Sequence, residues 1–160
     1  MKLNKENKRT LLLAVILCLW TAFIFSNSFV SAEDSGATSG RITAWLRPLF
    51  DAIFGEGAID WHLVVRKAAH LLEFCLLGIL TLSLVRRIGK ACQRSYGAHG
   101  ALFTLLVGVT DEYIQSFTGR GSQVQDVLID FAGAMLGFAL VATVTALRKG
   151  KGQKKEGTKR

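Results

Sequence analysis

The sequence predicts an all-α membrane protein with four transmembrane helices and a short extracytoplasmic amphipathic helix. Half of its 160 residues are hydrophobic, and most of these fall in long runs. A helix that crosses the hydrocarbon core needs about 20 mostly apolar residues, and the runs approach or reach that length. The single proline, Pro48, lies outside all of the runs, so the predicted spans contain no proline kink.

The apolar runs place the predicted spans at about 10–30, 63–85, 100–118 and 126–147. These spans define a membrane domain over 10–147, between a basic N-terminal segment, 1–9, and a basic tail, 148–160. The tail is rich in Lys and Gly, and we expect it to be disordered.

The end of the first span leaves one alternative open. Val30-Ser31-Ala32 resembles a signal-peptidase site, which would make the first run a cleaved leader. The apolar stretch before it is longer than the usual leader core of about 7–15 residues. We therefore expect an uncleaved helix.

The distribution of the basic residues predicts the orientation of the spans. The two termini and the connection between spans two and three hold 15 of the 20 Lys and Arg residues. Since cytoplasmic segments carry the excess of Lys and Arg, we expect a multi-pass plasma-membrane protein with both termini cytoplasmic. No aromatic-rich basic module accompanies the net charge of +8, so membrane lipids, and not nucleic acid, are the expected partners.

The first outer connection, about 31–62, contains a predicted amphipathic helix. It opens with a polar patch, 33–40, which we expect to be flexible. Apolar residues then recur at helical spacing from Ile42 to Phe54, which favours a helix lying on the outer membrane surface. The alternative is a loop segment packed against the bundle.

The spans carry polar and ionisable residues at one depth, near the outer leaflet. A charge at the centre of the bilayer costs about 2.5–3.5 kcal/mol, so such residues are functional candidates by default. The candidates, in chain order, are Arg66, Lys67, His70, Glu73, Asp111, Glu112, Gln115, Arg120, Asp126 and Asp130. On the fourth span, Gly133 and Gly137 have the GxxxG spacing that lets a neighbouring helix approach closely.

These residue types suit several kinds of chemistry. The cations and His70 could grip an anionic headgroup, for which arginine offers a bidentate fork. The carboxylates could balance those charges, bind a divalent cation or act as a general base. His70 and Glu73, spaced i, i+3, make a candidate metal site together with carboxylates from other helices, although no cofactor is predicted. The plainest alternative is an ion-pair network that lets each charge reside in lipid.

Five segments together resemble the VanZ-like family. They are Phe25–Ser28, Arg66–Phe74, Asp111–Phe117, Gly119–Ser122 and the stretch from Asp126 to Gly133. The resemblance covers about 10–147 and implies a small bacterial membrane protein of a family that is common in Gram-positive organisms, whose namesake raises resistance to teicoplanin. Most of the candidate residues occupy its motif positions. Phe74 stands where tyrosine is common, and Thr118 where proline often precedes the Gly-Arg pair.

The polar residues and the resemblance together predict a cell-envelope protein, without enzymatic activity, that binds an anionic ligand at an outer-leaflet pocket. The expected ligand is a lipid-linked cell-wall precursor headgroup or a glycopeptide antibiotic, with an effect on antibiotic resistance. The alternative is an intramembrane enzyme acting on a lipid-linked phosphate or peptidoglycan intermediate, with Glu73 or Asp130 as base or metal ligand. A transporter is disfavoured because the cytoplasmic halves of the spans are nearly uncharged.

Overall fold

The computed structural model describes residues 4–55, 57 and 59–157, with side chains as far as residue 149. The described residues form helices and no strand, which confirms the predicted all-α class. The five helices are α1 (Lys5–Ser28), α2 (Ala32–Phe54), α3 (Trp61–Cys92), α4 (Gly97–Phe117) and α5 (Val124–Gly157).

Three helices are long and apolar enough to cross a membrane: α1, α3 and the Val124–Lys149 part of α5. They correspond to the first, second and fourth predicted spans. The third predicted span, α4, falls outside this group because its last turns carry Asp111, Glu112 and Gln115. Four spans therefore remain a prediction.

Helix α2 begins earlier than the sequence predicted, and it includes the patch 33–40 that we expected to be flexible. Ser31 explains this start, because its hydroxyl accepts a hydrogen bond from the Asp34 backbone N–H at 3.1 Å. Glu33 and Asp34 also place negative charge in the first turn, where the helix dipole favours it. Helix α2 contains no buried residue and meets α3 through a stack of Phe50 on Trp61, with ring centroids 4.2 Å apart.

Helix α5 also runs further than expected, continuing to Gly157 through the segment for which the composition predicted disorder. Lys, Arg, Gln and Glu dominate this segment, and all four are good helix formers. Part of the predicted charge pattern lies outside the described residues or their side chains: Lys2, Lys151, Lys154, Lys155, Lys159 and Arg160.

Helices α3 and α5 pack so closely that three glycines touch the backbone of the facing helix. A Cβ atom at Gly133 would overlap the carbonyl of Leu71, and one at Gly137 would overlap the carbonyl of Cys75. From the other side, a Cβ at Gly78 would overlap the backbone of α5. The two glycines with GxxxG spacing thus lie where the helices meet, and any side chain there would push the helices apart.

Outside this contact, the bundle turns large apolar side chains outward on every long helix. Leu19, Leu72, Leu106 and Leu128, one each on α1, α3, α4 and α5, are all more than half exposed. A soluble protein rarely displays so much apolar surface, whereas lipid accommodates it. The buried core is correspondingly small and lies between α1, α3 and α4.

We expect Gly137→Ala to destabilise the protein because the added methyl group meets the Cys75 carbonyl and the Ile79 amide. The expected loss is about 1–3 kcal/mol of unfolding free energy, as for other overpacked sites. Unfolding in mixed micelles measures it. The matched control is Gly40→Ala, a helical glycine with nothing within 4 Å of an added Cβ, which should be neutral or slightly stabilising. Equal effects of the two substitutions would contradict this packing.

Candidate functional site

The polar candidates converge at one end of the bundle. This is the end at which α1 and α4 finish and α3 and α5 begin, so the connection between α4 and α5 closes over it. Together, the hydrogen bonds, ion pairs and cavity walls at this end include every candidate residue that the sequence predicted. They do not form one cluster, however, but a buried centre with three separate groups of contacts around it.

His70, Asp111 and Asp130 form the buried centre, and each comes from a different helix. His70 Nδ1 lies 3.4 Å from Asp130 Oδ1 and 4.0 Å from Asp111 Oδ2. Each of the three residues offers one nitrogen or oxygen atom that could bind a metal ion, and these three atoms lie within 4.8 Å of one another. Asp130 is completely buried and Asp111 is 1% exposed, so two carboxylates lie side by side with almost no contact with solvent.

Asp111 is held on both oxygens. Gln115, one turn further along α4, donates from Nε2 to Asp111 Oδ2 at 2.6 Å. Ser28, at the end of α1, donates its hydroxyl to Asp111 Oδ1. Asp130 differs, because neither of its oxygens has a hydrogen-bond partner among the described residues.

Glu73 lies apart from this centre and faces α1. Its carboxylate accepts a hydrogen bond from Asn27 Nδ2 at 3.1 Å, and its backbone carbonyl accepts one from the Trp20 indole at 3.1 Å. The candidate metal pair of His70 and Glu73 is therefore replaced by His70 with two carboxylates from other helices. Asn27 and Ser28 belong to the first segment of the family resemblance, but the sequence did not predict that α1 contacts the polar candidates.

Arg120 bridges the α4–α5 connection and the centre. It donates from Nη1 to the Asn27 carbonyl at 3.0 Å, and its Nη2 lies 3.4 Å from His70 Nε2. Gly119 and Gly121 on either side adopt φ values of 73° and 69°, a left-handed conformation that glycine allows. Burial lowers the pKa of Arg120 from its usual value, with a smaller contribution from the charge of nearby Arg66.

The remaining contacts fix the α4–α5 connection. Lys67 pairs with Asp126 at 3.3 Å, and Glu112 accepts the Gln123 backbone N–H at 3.1 Å. Thr118 donates its hydroxyl to the Ser28 carbonyl at 3.2 Å. Proline, which is common at position 118 in the VanZ-like family, has no hydroxyl with which to make this contact.

Two cavities meet at Arg66, His70 and Arg120. One, of about 250 Å³, extends between α3 and α5 past Lys67 and Asp126. The other, of about 260 Å³, extends towards α1 and α2 and reaches Asp111. Among the described residues Arg66 has neither an ion pair nor a hydrogen bond, so its charge is available to both cavities. The site thus combines a cationic rim with an acidic floor.

A family model described as VanZ/LLP1 matches residues 13–145. The chain belongs to the VanZ/LLP1 family. The match includes all ten candidate residues and the polar end of α1, which confirms the resemblance that the motifs indicated. No curated protein and no solved structure matches the chain. The membership, with three helices apolar enough to span a bilayer, makes this VanZ/LLP1 chain a membrane protein.

We expect Ser28→Ala to destabilise the VanZ/LLP1 fold by about 1–3 kcal/mol, because it leaves an oxygen of buried Asp111 without its donor. Unfolding in mixed micelles checks this. Ser116→Ala is the matched control, because Ser116 is an exposed serine whose hydroxyl donates only to a carbonyl of its own helix, that of Tyr113. If both substitutions had the same small effect, the contact between α1 and α4 would contribute nothing to stability.

Proposed function

We propose that this VanZ/LLP1 protein is a multi-pass plasma-membrane protein of the cell envelope that binds an anionic ligand at its outer-leaflet cavities. The observation that carries the proposal is the group of three cations, Arg66, Lys67 and Arg120, around two adjoining cavities. The ligand is a lipid-linked cell-wall precursor headgroup or a glycopeptide antibiotic. The family's namesake supports an effect on glycopeptide susceptibility in a Gram-positive envelope.

The proposed topology has four spans, with α4 as the third. Its 21 residues extend about 31 Å, close to the thickness of the hydrocarbon core. Leu102, Leu106 and Val109 give it an exposed apolar surface, while Asp111, Glu112 and Gln115 are buried in the bundle. Inward-facing polar residues are the arrangement expected of a span that serves a site.

The charges at the two ends of the bundle support an orientation with both termini in the cytoplasm. Arg87, at the end of α3, pairs with Glu6 at the start of α1, so these two basic segments lie at the same end. The candidate site occupies the opposite end. By the inside-positive rule the basic end is cytoplasmic and the site faces outward.

Helix α2 fits a position on the outer membrane surface. Ile42, Trp45, Leu49 and Ile53 lie three or four residues apart and are between 46% and 81% exposed. Such a stripe on a helix that is not itself a spanning candidate is the pattern of an interfacial helix. It also forms one wall of the larger cavity through Ser35 and Ile42, so it would border a bound ligand.

The surroundings of the cations favour an amphiphilic ligand. The smaller cavity is walled by Leu63 and Ile129 as well as by Arg66 and Lys67. A phosphate or carboxylate would meet the arginine forks while an attached chain leaves along apolar helix surface. Lys67 is already neutralised by Asp126, so Arg66 is the cation most available to the ligand.

One observation favours an intramembrane enzyme as the second candidate. Buried Asp130 has two oxygens without a hydrogen-bond partner in the described part of the chain, and it lies beside His70, a residue that can carry a proton. Lipid-linked phosphates are the substrates to assay, with and without chelator. Turnover that disappears in Asp130→Asn would establish the enzyme, and its absence under every metal condition would exclude this reaction.

We expect native Cys92 and an introduced Ser122→Cys to lie on opposite sides of the membrane. Both positions are exposed, Cys92 at the end of α3 and Ser122 in the α4–α5 connection. A membrane-impermeant maleimide should label Ser122→Cys in intact cells when Cys92 is replaced by serine. In the unsubstituted protein Cys92 should react only after lysis. Labelling of Cys92 in intact cells would reverse the proposed topology.

We expect Arg66→Ala and Arg120→Ala each to weaken binding of a polyprenyl diphosphate about tenfold or more, because a hydrogen bond to a charged group contributes about 1.5–3 kcal/mol. Titration of the protein in nanodiscs with the polyprenyl diphosphate measures this affinity, and a second titration uses teicoplanin as the ligand. Arg47→Ala is the control, because Arg47 lies on α2 with a 66% exposed side chain. Equal affinities of all variants for both ligands would reject the proposed pocket.

A further inference from the structure

We infer that His70, Asp111 and Asp130 form a binding site for a divalent transition-metal ion of the zinc class. The three side chains come from α3, α4 and α5, and all point into the buried centre. This inference goes beyond the anionic-ligand proposal, because it assigns a cation to the floor of the site and stands whether or not an anion binds above it.

The distance from His70 to Asp130 matches the spacing of two ligands on one metal ion, and Asp111 lies slightly further away. Ligands about 2.1 Å from a tetrahedral zinc ion lie about 3.4 Å from one another. His70 Nδ1 lies 3.4 Å from Asp130 Oδ1 and 4.0 Å from Asp111 Oδ2. The His70–Asp130 contact is short enough for a hydrogen bond but lacks the angular geometry of one, so His70 Nδ1 has no hydrogen-bond partner among the described residues. Small side-chain adjustments would bring all three atoms into the first coordination shell.

Asp130 gives independent evidence that a cation belongs there. It is fully buried, and neither carboxylate oxygen has a hydrogen-bond partner among the described residues. An ionised carboxylate in such a place is strongly unfavourable unless a positive charge or a metal satisfies it. Lys67 pairs with Asp126, and Arg120 lies against the far nitrogen of the His70 ring. Without a metal, protonated His70, 3.4 Å from Asp130 Oδ1, is the cation that faces this carboxylate.

The donor set indicates the class of metal. One imidazole and two carboxylates suit Zn²⁺, Mn²⁺ or Fe²⁺. Mg²⁺ and Ca²⁺ prefer oxygen ligands alone, so a histidine nitrogen at the centre selects against them. Three protein ligands also leave a coordination position open towards the cavities, as in catalytic zinc sites.

The groups around Asp111 resemble the outer contacts that orient metal ligands. Ser28 and Gln115 each donate to one of its oxygens and so fix the carboxylate plane. A carboxylate oxygen has two lone pairs, so Oδ2 can accept from Gln115 and still bind an ion. The larger cavity reaches both His70 and Asp111, which gives an ion a path to the centre.

Metal binding would also change the state of Arg120. When Nδ1 of a neutral histidine binds a metal, its hydrogen resides on Nε2. Arg120 Nη2 lies 3.4 Å from His70 Nε2 and is itself a donor, so the two groups could no longer bond. Arg120 would then turn towards the cavity. A freed guanidinium beside Arg66 would be available to an anionic ligand. This one consequence therefore rests on the proposed function, whereas the metal site itself does not.

The test uses the full chain in nanodiscs, stripped with chelator and then exposed separately to Zn²⁺, Mn²⁺ and Mg²⁺, with no anionic ligand present. After desalting, elemental analysis should find one Zn²⁺ or Mn²⁺ per chain and no Mg²⁺. Asp130→Asn should abolish retention, and Gln115→Ala should weaken affinity about 10–100-fold through the orientation of Asp111. The control is Glu33→Gln, an exposed carboxylate at the start of α2, which should bind as the unsubstituted protein does.

A cobalt-loaded sample gives a readout that does not depend on stoichiometry. Co²⁺ in a four- or five-coordinate site absorbs strongly in the visible range, and His70→Ala should remove that absorption. If Asp130→Asn fails to fold, the Gln115→Ala affinity and the cobalt spectrum of the unsubstituted protein still decide. Failure of the unsubstituted protein to retain any transition metal, or equal retention by the folded Asp130→Asn variant, would overturn the inference. If the unsubstituted protein retains the metal but binds no anionic ligand, only the proposed function is rejected.

Discussion

The close contact of α3 with α5 is the constraint on which the candidate site depends. Gly133 and Gly137 let the backbones approach to a separation that any side chain would prevent. His70 and Asp130 lie immediately beyond this contact, towards the end of the bundle that holds the candidate site, so the same approach brings their side chains together. The glycines of this helix pair therefore determine where the ionisable side chains meet, so helix packing and the candidate site share one interface.

Around that interface, some of the buried ionisable groups have hydrogen-bond or ion-pair partners and others do not. Asp111 is fully supplied with donors, and Lys67 and Asp126 neutralise each other. Asp130 has the His70 contact but no hydrogen-bond partner, and Arg66 has neither an ion pair nor a hydrogen bond among the described residues. Satisfied groups hold the architecture, whereas unsatisfied ones are where a ligand would gain most, because binding there replaces a missing interaction.

The sequence predicted the all-α class and ten polar candidates that the structure brings to one end of the bundle, but not which of these residues contact each other. Charges in apolar runs stand out, so all ten candidates could be found from composition and helical spacing. The separation of Glu73 from His70 could not be predicted from the sequence. It depends on a hydrogen bond to Glu73 from Asn27 of α1, which lies 46 residues away in the chain. The helical start of α2 was missed because its Gly and Ser content outweighed the capping by Ser31.

A double-mutant cycle on His70→Ala and Asp130→Ala tests the central claim, that residues on separate helices form one interacting centre. It compares the unfolding free energies of the two single variants, the double variant and the unsubstituted protein in mixed micelles. Direct contact predicts a coupling of about 0.5–3 kcal/mol between positions separated by 60 residues in sequence. Additive effects, with a coupling near zero, would show that the two side chains do not meet and would contradict the account.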